Sequence, residues 1–272
     1  MEIFKRKIHI KFSGALELWL NDKPFTRSLL YSYTILVPDS EKFIIRTVLK
    51  FLPILNDNLK QCVNALIYQE GQHAREHNKA NLWIETQGYK LVWFRRLINF
   101  LTYTLLEYVL SKRQLLSIAT ATEHFNTSLS MFFLKNPNLF KDCPHTLTAL
   151  YSWHFAEEIE HKEVVYDVFN AVSGSYVTRL TGALIASFGF FVILPIGAVI
   201  FSIQDLSFLR FCYWKDLFSS FFRIGKLFPF LFMSLFEYLK PQFHPRKTKN
   251  LHLIALGLDQ YHINIGDKND PS

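Results

Sequence analysis

Two stretches of the chain decide its fold: IYQEGQHAREH at residues 67–77 and WHFAEEIEHK at residues 153–162. Each stretch contains a Glu that is followed three residues later by a His. In an α-helix, residues three or four apart lie on the same face, so such a pair can reach one point from one rigid element. A carboxylate and an imidazole placed in this way are suited to binding a transition-metal ion. The two pairs are Glu70 with His73 and Glu158 with His161.

Two more glutamates complete the ligand set of a di-metal site. Glu41 directly follows a Pro-Asp-Ser sequence that is typical of a helix start, and Glu123 lies in the helical region between the two pairs. The order along the chain is then Glu, Glu-x-x-His, Glu, Glu-x-x-His, which is the pattern of di-iron and di-manganese carboxylate bundles. Two further candidate ligands stand one helical turn from the pairs, His77 and His154.

The opposite interpretation is that these polar residues belong to solvated helix faces, as a single Glu-x-x-His pair usually does. The flanking residues argue against it. Val63 and Leu66 extend the ligand face of the first pair, and Val165 and Val168 extend that of the second. Both faces are therefore expected to point inward. Buried carboxylates without a partner are costly, and a metal pair supplies that partner.

This pattern predicts an all-α protein, with a ferritin-like four-helix bundle followed by additional apolar helices. We expect an irregular lead-in over residues 1–38, the di-metal bundle over 39–175, and an apolar C-terminal region over 176–272. The bundle helices are predicted at about 39–57, 58–87, 90–135 with a break near Ser111, and 144–174, from their capping residues, prolines and glycines.

Composition narrows the classes of partner. Half of the residues are apolar, 27 are Phe and only 19% are charged, which favours an unusually large core or a membrane contact. The formal charge is +7, but the basic residues are scattered and no nucleic-acid motif occurs, so we expect no nucleic-acid partner. The three cysteines are far apart and indicate a reducing compartment rather than a disulfide framework. The first residues contain no apolar run of signal-peptide length, so the metal-binding part is expected to stay in the cytoplasm.

The C-terminal region contains a stretch that could cross a membrane. Residues 180–204 carry no charge and are long enough to span a bilayer, whereas the later apolar stretch 227–239 is too short and contains Glu237. An apolar helix packed against the bundle would show the same composition, and the flanking charges indicate no clear orientation. We favour membrane association, with the bundle on the cytoplasmic side.

Several motifs resemble those of a bacterial family called predicted metal-dependent hydrolases, from about residue 8 to the His244-Pro245 segment. The resemblance implies a bacterial protein, in the cytoplasm or on the cytoplasmic face of the inner membrane. The spacing of His154, Glu158 and His161 is also similar to that of the di-iron p-aminobenzoate N-oxygenases, which implies that His154 is a ligand. Ser40 stands where the family often has Gly, a departure that bears on Glu41 alone. The motifs are PDSEKF at 38–43, QExxHxxxH at 69–77, EHF at 123–125, WHxxEExEHK at 153–162 and YLKPxFHP at 238–245.

Three functions are compatible with these residues. The first is a non-haem di-metal enzyme, with iron before manganese, that activates dioxygen to oxidise a small apolar or lipid-like substrate. The second is a di-metal hydrolase, which the family's name favours. The third is a non-catalytic metal-binding bundle. The sequence leaves the substrate and the oligomeric state open.

Overall fold

The computed structural model describes residues 3–15, 20–90 and 92–265, and within these ranges all regular elements are helical. The predicted all-α class is therefore confirmed. The α-helices are α1 (Pro24–Leu49), α2 (Asp57–Thr86), α3 (Val92–Asn99), α4 (Leu105–Val109), α5 (Lys112–Leu134), α6 (His145–His161), α7 (Val164–Val172), α8 (Tyr176–Phe188), α9 (Leu194–Gln204), α10 (Phe211–Phe222), α11 (Leu227–Leu239) and α12 (His252–Ile265).

Four of these helices surround the candidate site. α1 packs against α2 and α5, and α6 packs against the same two helices, so the four close a ring around a shared interior. Their facing sides are lined by fully buried apolar residues, including Val63, Leu116 and Ile159. Burial of these side chains is the main source of the stability of such a bundle. The narrower description as ferritin-like stays a prediction.

Local sequence signals set the ends of two bundle helices where they were predicted. The side chain of Asn56 accepts a hydrogen bond of 2.9 Å from the backbone N–H of Leu59, which caps the start of α2. Gly88 has φ +98°, a conformation that glycine adopts without strain, and it follows the end of α2. The predicted break near Ser111 is a capping box between Ser111 and Gln114 at the start of α5.

The predicted start of the first helix near Asp39 is wrong, and the lead-in expected to be irregular up to residue 38 is helical from Pro24 onward. α1 begins at Pro24 and continues through Pro38, so Glu41 lies in the middle of a helix rather than in its first turn. Pro24 stands at the first helical position, where its missing N–H costs no hydrogen bond. Pro38 removes only the bond to the Thr34 carbonyl, and the surrounding packing offsets that loss.

The C-terminal helices pack along the bundle. α9 lies against α1, α8 and α11 lie against α5, and α12 lies against α6. By length and composition alone, two stretches could cross a membrane, Tyr176–Gln204 and Phe211–Leu239. The second stretch combines α10 and α11 across a short turn at Gly225, whereas α11 alone has the bounds 227–239 and is as short as expected. Neither stretch is mostly buried, which disfavours the interpretation of residues 180–204 as a core helix.

The contact between α8 and α5 depends on a glycine. A Cβ atom on Gly182 would lie 2.4 Å from the backbone of Ser117, so Gly182→Ala must push the two helices apart. We expect a loss of about 1–3 kcal/mol in the free energy of unfolding, the usual cost of overpacking, measured as a lower Tm. Gly189→Ala is the matched control, because a Cβ at Gly189 meets nothing within 4 Å. Equal Tm values for the two variants would contradict this packing.

Candidate metal centre

The four bundle helices bring four carboxylates and three imidazoles together in the interior. Each of these seven side chains is at most 1% exposed. The helical spacing of three or four residues places the members of α2 and α6 on the faces that look toward the ring's axis. The seven are Glu41 from α1, Glu70 and His73 from α2, Glu123 from α5, and His154, Glu158 and His161 from α6.

Six of the seven form two overlapping ligand groups. One consists of Glu41, His73, His154 and Glu158, and the other of Glu70, His73, Glu158 and His161. Within each group the donor atoms lie within 4.8 Å of one another. His73 and Glu158 belong to both groups, so the geometry has room for two ions that share a ligand. A carboxylate suits that shared position, because its two oxygens can bind different ions.

The donor atoms lack other partners, which is the main test of whether metal ions fit. Outside the cluster itself, both carboxylate oxygens of Glu41, Glu123 and Glu158 have no hydrogen-bond partner in the described part of the chain. The same holds for Glu70 Oε1 and for Nδ1 of His161. Buried polar atoms are normally satisfied, and a cluster of exceptions that point to one place indicates a missing cation. Four negative charges would be balanced by two divalent ions.

Two of the three imidazoles have a hydrogen-bonding partner on the side of the ring away from the centre. His73 Nε2 lies 3.1 Å from Glu157 Oε2, while its Nδ1 lies 3.3 Å from Glu70 Oε2. His161 Nε2 lies 2.7 Å from Gln69 Oε1. In both rings Nδ1 is therefore the atom that faces the centre. Partners of this kind fix the ring orientation of metal-binding histidines.

The third imidazole contacts a tyrosine. His154 Nε2 lies 2.7 Å from the hydroxyl of Tyr33 and 3.2 Å from Glu158 Oε1. Tyr33 comes from α1, two turns before Glu41, so one helix supplies both a carboxylate and this hydroxyl. Burial and the charge of Glu158 raise the pKa of Tyr33 well above its ordinary value, so its phenol is a hydrogen-bond donor.

An arginine from the segment before α1 closes the outer side of the centre. Arg6 contacts Glu157 Oε1 at 3.1 Å and Glu160 Oε1 at 2.6 Å. Gln69 Nε2 donates to Glu160 Oε2 at 2.9 Å, so the same ion pair also holds the amide that orients His161. A single cation thus supports two of the three imidazoles through their partners.

Burial shifts the protonation of the metal-free site. It raises the pKa of Glu123 to about 8, with the charge of Glu158 adding to the effect, and it raises the pKa of Glu158 to about 7 although His161 opposes it. Burial and Glu70 likewise raise the pKa of Glu41 well above the usual range. Burial lowers the pKa of His73 and of His154, so both imidazoles are neutral donors. In each case the low dielectric of the core disfavours the charged form.

Two of the eight predicted ligands lie at the edge of the cluster. Glu123 is outside both four-residue groups, although its Oε2 lies 4.0 Å from His161 Nδ1 and it borders Glu70 and Glu158. His77 is also outside them, and its ring centre lies 4.8 Å from that of His154. The other six predicted ligands are brought together.

The sequence patterns assigned no role in the site to Tyr33, Gln69 or Arg6. Their spacing along the chain indicates no role in the site, because each side chain acts through a contact with an element other than its own. Tyr33 also fell in the segment that was wrongly expected to be irregular. Glu157, the residue before Glu158, also supports a ligand through its contact with His73 Nε2.

An apolar cavity of about 400 Å³ adjoins the centre. Tyr33 and Glu41 contribute to its lining, and the rest comes mainly from α1, α5, α8, α9 and the segment between α3 and α4. This volume lies within the range of small-molecule sites, ~300–1,000 Å³. The centre is therefore buried from water but borders a space that an apolar molecule could fill.

Comparison with known protein families places the chain in a family. A family model described as predicted metal-dependent hydrolase matches residues 4–249 of the 272. No curated protein and no solved structure matches the chain.

The ligand geometry predicts the metal content. Purified protein should hold about two transition-metal ions per chain, and Glu70→Ala, His73→Ala, Glu158→Ala or His161→Ala should each lower the content well below two, since each removes a donor. Glu85→Ala, which lies on α2 outside the ligand groups, serves as the control and should leave it unchanged. Metal analysis by mass spectrometry measures this. Full occupancy in all four variants would reject the site.

The raised pKa values predict an unusual dependence of stability on pH. For Glu123, a folded-state pKa of about 8 against an ordinary 4.5 means that its stabilising contribution is complete below pH 4.5 and is lost as the pH rises toward 8. Metal-free protein should therefore lose Tm between these values. Metal-loaded protein should not, because binding improves as protons leave the ligands. Parallel pH profiles of Tm with and without chelator would contradict this account.

Proposed function

The chain belongs to the family of predicted metal-dependent hydrolases, and we propose that it is a di-metal carboxylate enzyme that uses dioxygen to oxidise a small apolar substrate. The observation that carries this proposal is the ligand set: four carboxylates and three imidazoles without a thiolate, enclosed in a dry core beside an apolar cavity. The family's description does not bear on oxidation, so this part rests on the site alone.

The donor chemistry favours iron, with manganese second. Carboxylates and imidazoles suit divalent iron and manganese, whereas zinc and copper sites more often include thiolates or consist mainly of histidines. When bound, a metal pair of this kind supplies either redox equivalents for dioxygen or Lewis acidity for water. The surroundings decide which of these chemistries is useful.

The surroundings favour the first chemistry. Dioxygen is apolar and enters an apolar cavity readily, while a hydrolase must admit water to the same place. The cavity lining includes Tyr33 and Glu41 and is mostly apolar, with Val37, Ile118 and Ile193 among its members. An enclosed site of this type also protects reactive species from water.

The residues of this chain have definable roles in such an enzyme. The four glutamates hold the charge of the ions, and Glu157 and Gln69 keep His73 and His161 in the orientation that turns Nδ1 inward. Tyr33 faces both the cavity and His154, so its hydroxyl can donate a proton or a hydrogen bond on the substrate side. Its place on the cavity wall makes it the first candidate for contact with the substrate.

Hydrolysis is the second candidate, and the family's description supports it more directly than it supports oxidation. The same ligand groups could hold two ions that activate a water molecule and orient the leaving group. Exclusion of bulk water from the site is the observation that argues against it.

Loading the protein with different metals separates these functions. Ferrous protein exposed to dioxygen should consume it and develop a near-ultraviolet absorption band, and Glu158→Ala should do neither, whereas Glu85→Ala should do both. Oxygen electrode and absorption measurements test this. Zinc-loaded protein that cleaves aliphatic esters or amides without dioxygen would instead support the hydrolase. Metal binding with neither reaction would leave a non-catalytic bundle.

A further inference from the structure

The cavity beside the metal centre is bordered by two π-helical turns. One turn, Phe100–Thr104, joins α3 to α4, and the other, Gly189–Ile193, joins α8 to α9. Both turns contribute lining residues, including Leu101 and Phe190. π-Helical turns are rare, and they occur often at functional sites. Their presence on two separate walls of one cavity indicates that this space is shaped for a ligand.

Gly189 leaves part of this space open. A Cβ atom on it would meet nothing within 4 Å, although its neighbours Phe188 and Phe190 are large. Its backbone is ordinary right-handed helix, with φ −57°, so the glycine is not required by the conformation. Glycine inside a helix costs roughly 1 kcal/mol relative to alanine. A glycine at this position, in spite of that loss of helix stability, is explained if a ligand occupies the space that a side chain would fill.

The mouth of the cavity lies between two exposed apolar stripes. The α3 stripe runs along α3 and α4, the α8 stripe along α8 and α9, and together we call them the two-stripe surface. Leu101 from the first stripe, 45% exposed, and Phe188 and Ile196 from the second, 57% and 48% exposed, also line the cavity. The α3 stripe consists of Trp93, Leu97, Leu101, Leu105 and Val109, and the α8 stripe of Leu184, Phe188, Val192, Ile196, Val199 and Ile203.

The charges beside the α3 stripe indicate what covers it. Four basic side chains are exposed between residues 90 and 113: Lys90, Arg96, Lys112 and Arg113. The acidic residue in this range, Glu107, accepts a hydrogen bond from Arg46. A helix with Trp and Leu on one face and basic residues beside it is typical of binding to an anionic lipid surface. Soluble monomers seldom expose apolar patches of this extent.

We propose that the cavity is a channel for one aliphatic chain of a bilayer lipid, and that the two-stripe surface rests on an anionic membrane from which the chain enters. The chain would pass between the π-helical turns and end near Tyr33 and Glu41. This inference deepens the proposed function, because it names an aliphatic chain as the substrate class. The channel itself does not depend on bound metal.

Displacement of a fluorescent fatty acid by palmitate tests the channel, with full-length protein held in digitonin. Gly189→Phe should weaken palmitate binding at least tenfold, about 1.4 kcal/mol, because the ring fills the open space. Val177→Phe, on α8, 69% exposed and outside both the cavity and the two-stripe surface, should have no effect. If Gly189→Phe does not fold, Ile185→Trp fills the same cavity.

Butyrate, which is too short to gain from the channel, should compete poorly. Equal palmitate affinity in wild type and in the cavity-filling variant would overturn the proposal.

The palmitate experiment distinguishes failure of the channel proposal from failure of the di-metal proposal. Chelated protein should still bind palmitate, since the cavity lining includes only one of the ligands, Glu41. Palmitate binding in protein that never holds metal would reject the di-metal function and leave the channel. Full metal occupancy without palmitate binding would reject the channel alone.

Flotation with lipid vesicles tests the source of the chain. Protein should float with vesicles that contain phosphatidylglycerol more than with pure phosphatidylcholine, and the double variant Trp93→Glu, Leu97→Glu should lose flotation while it keeps its metal content. Recovery of full-length protein in the soluble fraction at low salt without detergent would overturn the membrane part. So would a stable dimer that the double variant dissociates, which would place a second copy on this surface.

Discussion

The burial of four carboxylates within a few ångströms of one another is the constraint on which the rest of the structure depends. Without cations, this cluster meets both a desolvation cost and mutual repulsion, and the raised pKa of Glu123 reflects both effects. A folded core tolerates this free-energy cost when the carboxylates bind cations. Membership of a family described as predicted metal-dependent hydrolases agrees with that reasoning.

The supporting contacts extend this constraint outward. Glu157 and Gln69 hold the imidazoles, and Arg6 holds both Glu157 and, through Glu160, Gln69. A buried carboxylate such as Glu160 is stable there because a guanidinium accompanies it. The N-terminal segment, which has no regular secondary structure around Arg6, is therefore part of the site rather than a tether.

Much of the fold and of the ligand set could be predicted because both depend on helical periodicity. Glu70 with His73 and Glu158 with His161 follow from spacing alone, and the C-terminal end of α2 follows from Gly88. The start of α1 could not be found in this way, since Pro38 resembles a helix start and only tertiary packing keeps it inside a helix. Contacts between helices, such as Tyr33 with His154, are not encoded in spacing at all.

α1 shows how one helix connects the metal centre to the apolar cavity. Tyr33, Val37 and Glu41 are spaced four residues apart, so they form one stripe that lines the cavity. Pro38 leaves the Thr34 carbonyl without its helical N–H, and the backbone of Thr34 raises the pKa of His77 against the larger lowering by burial. The proline thus leaves a polar backbone group available beside the histidines. A core that excludes water makes carboxylates costly to bury without metal ions. The same exclusion of water favours the binding of an aliphatic chain, so it serves both the metal centre and the cavity.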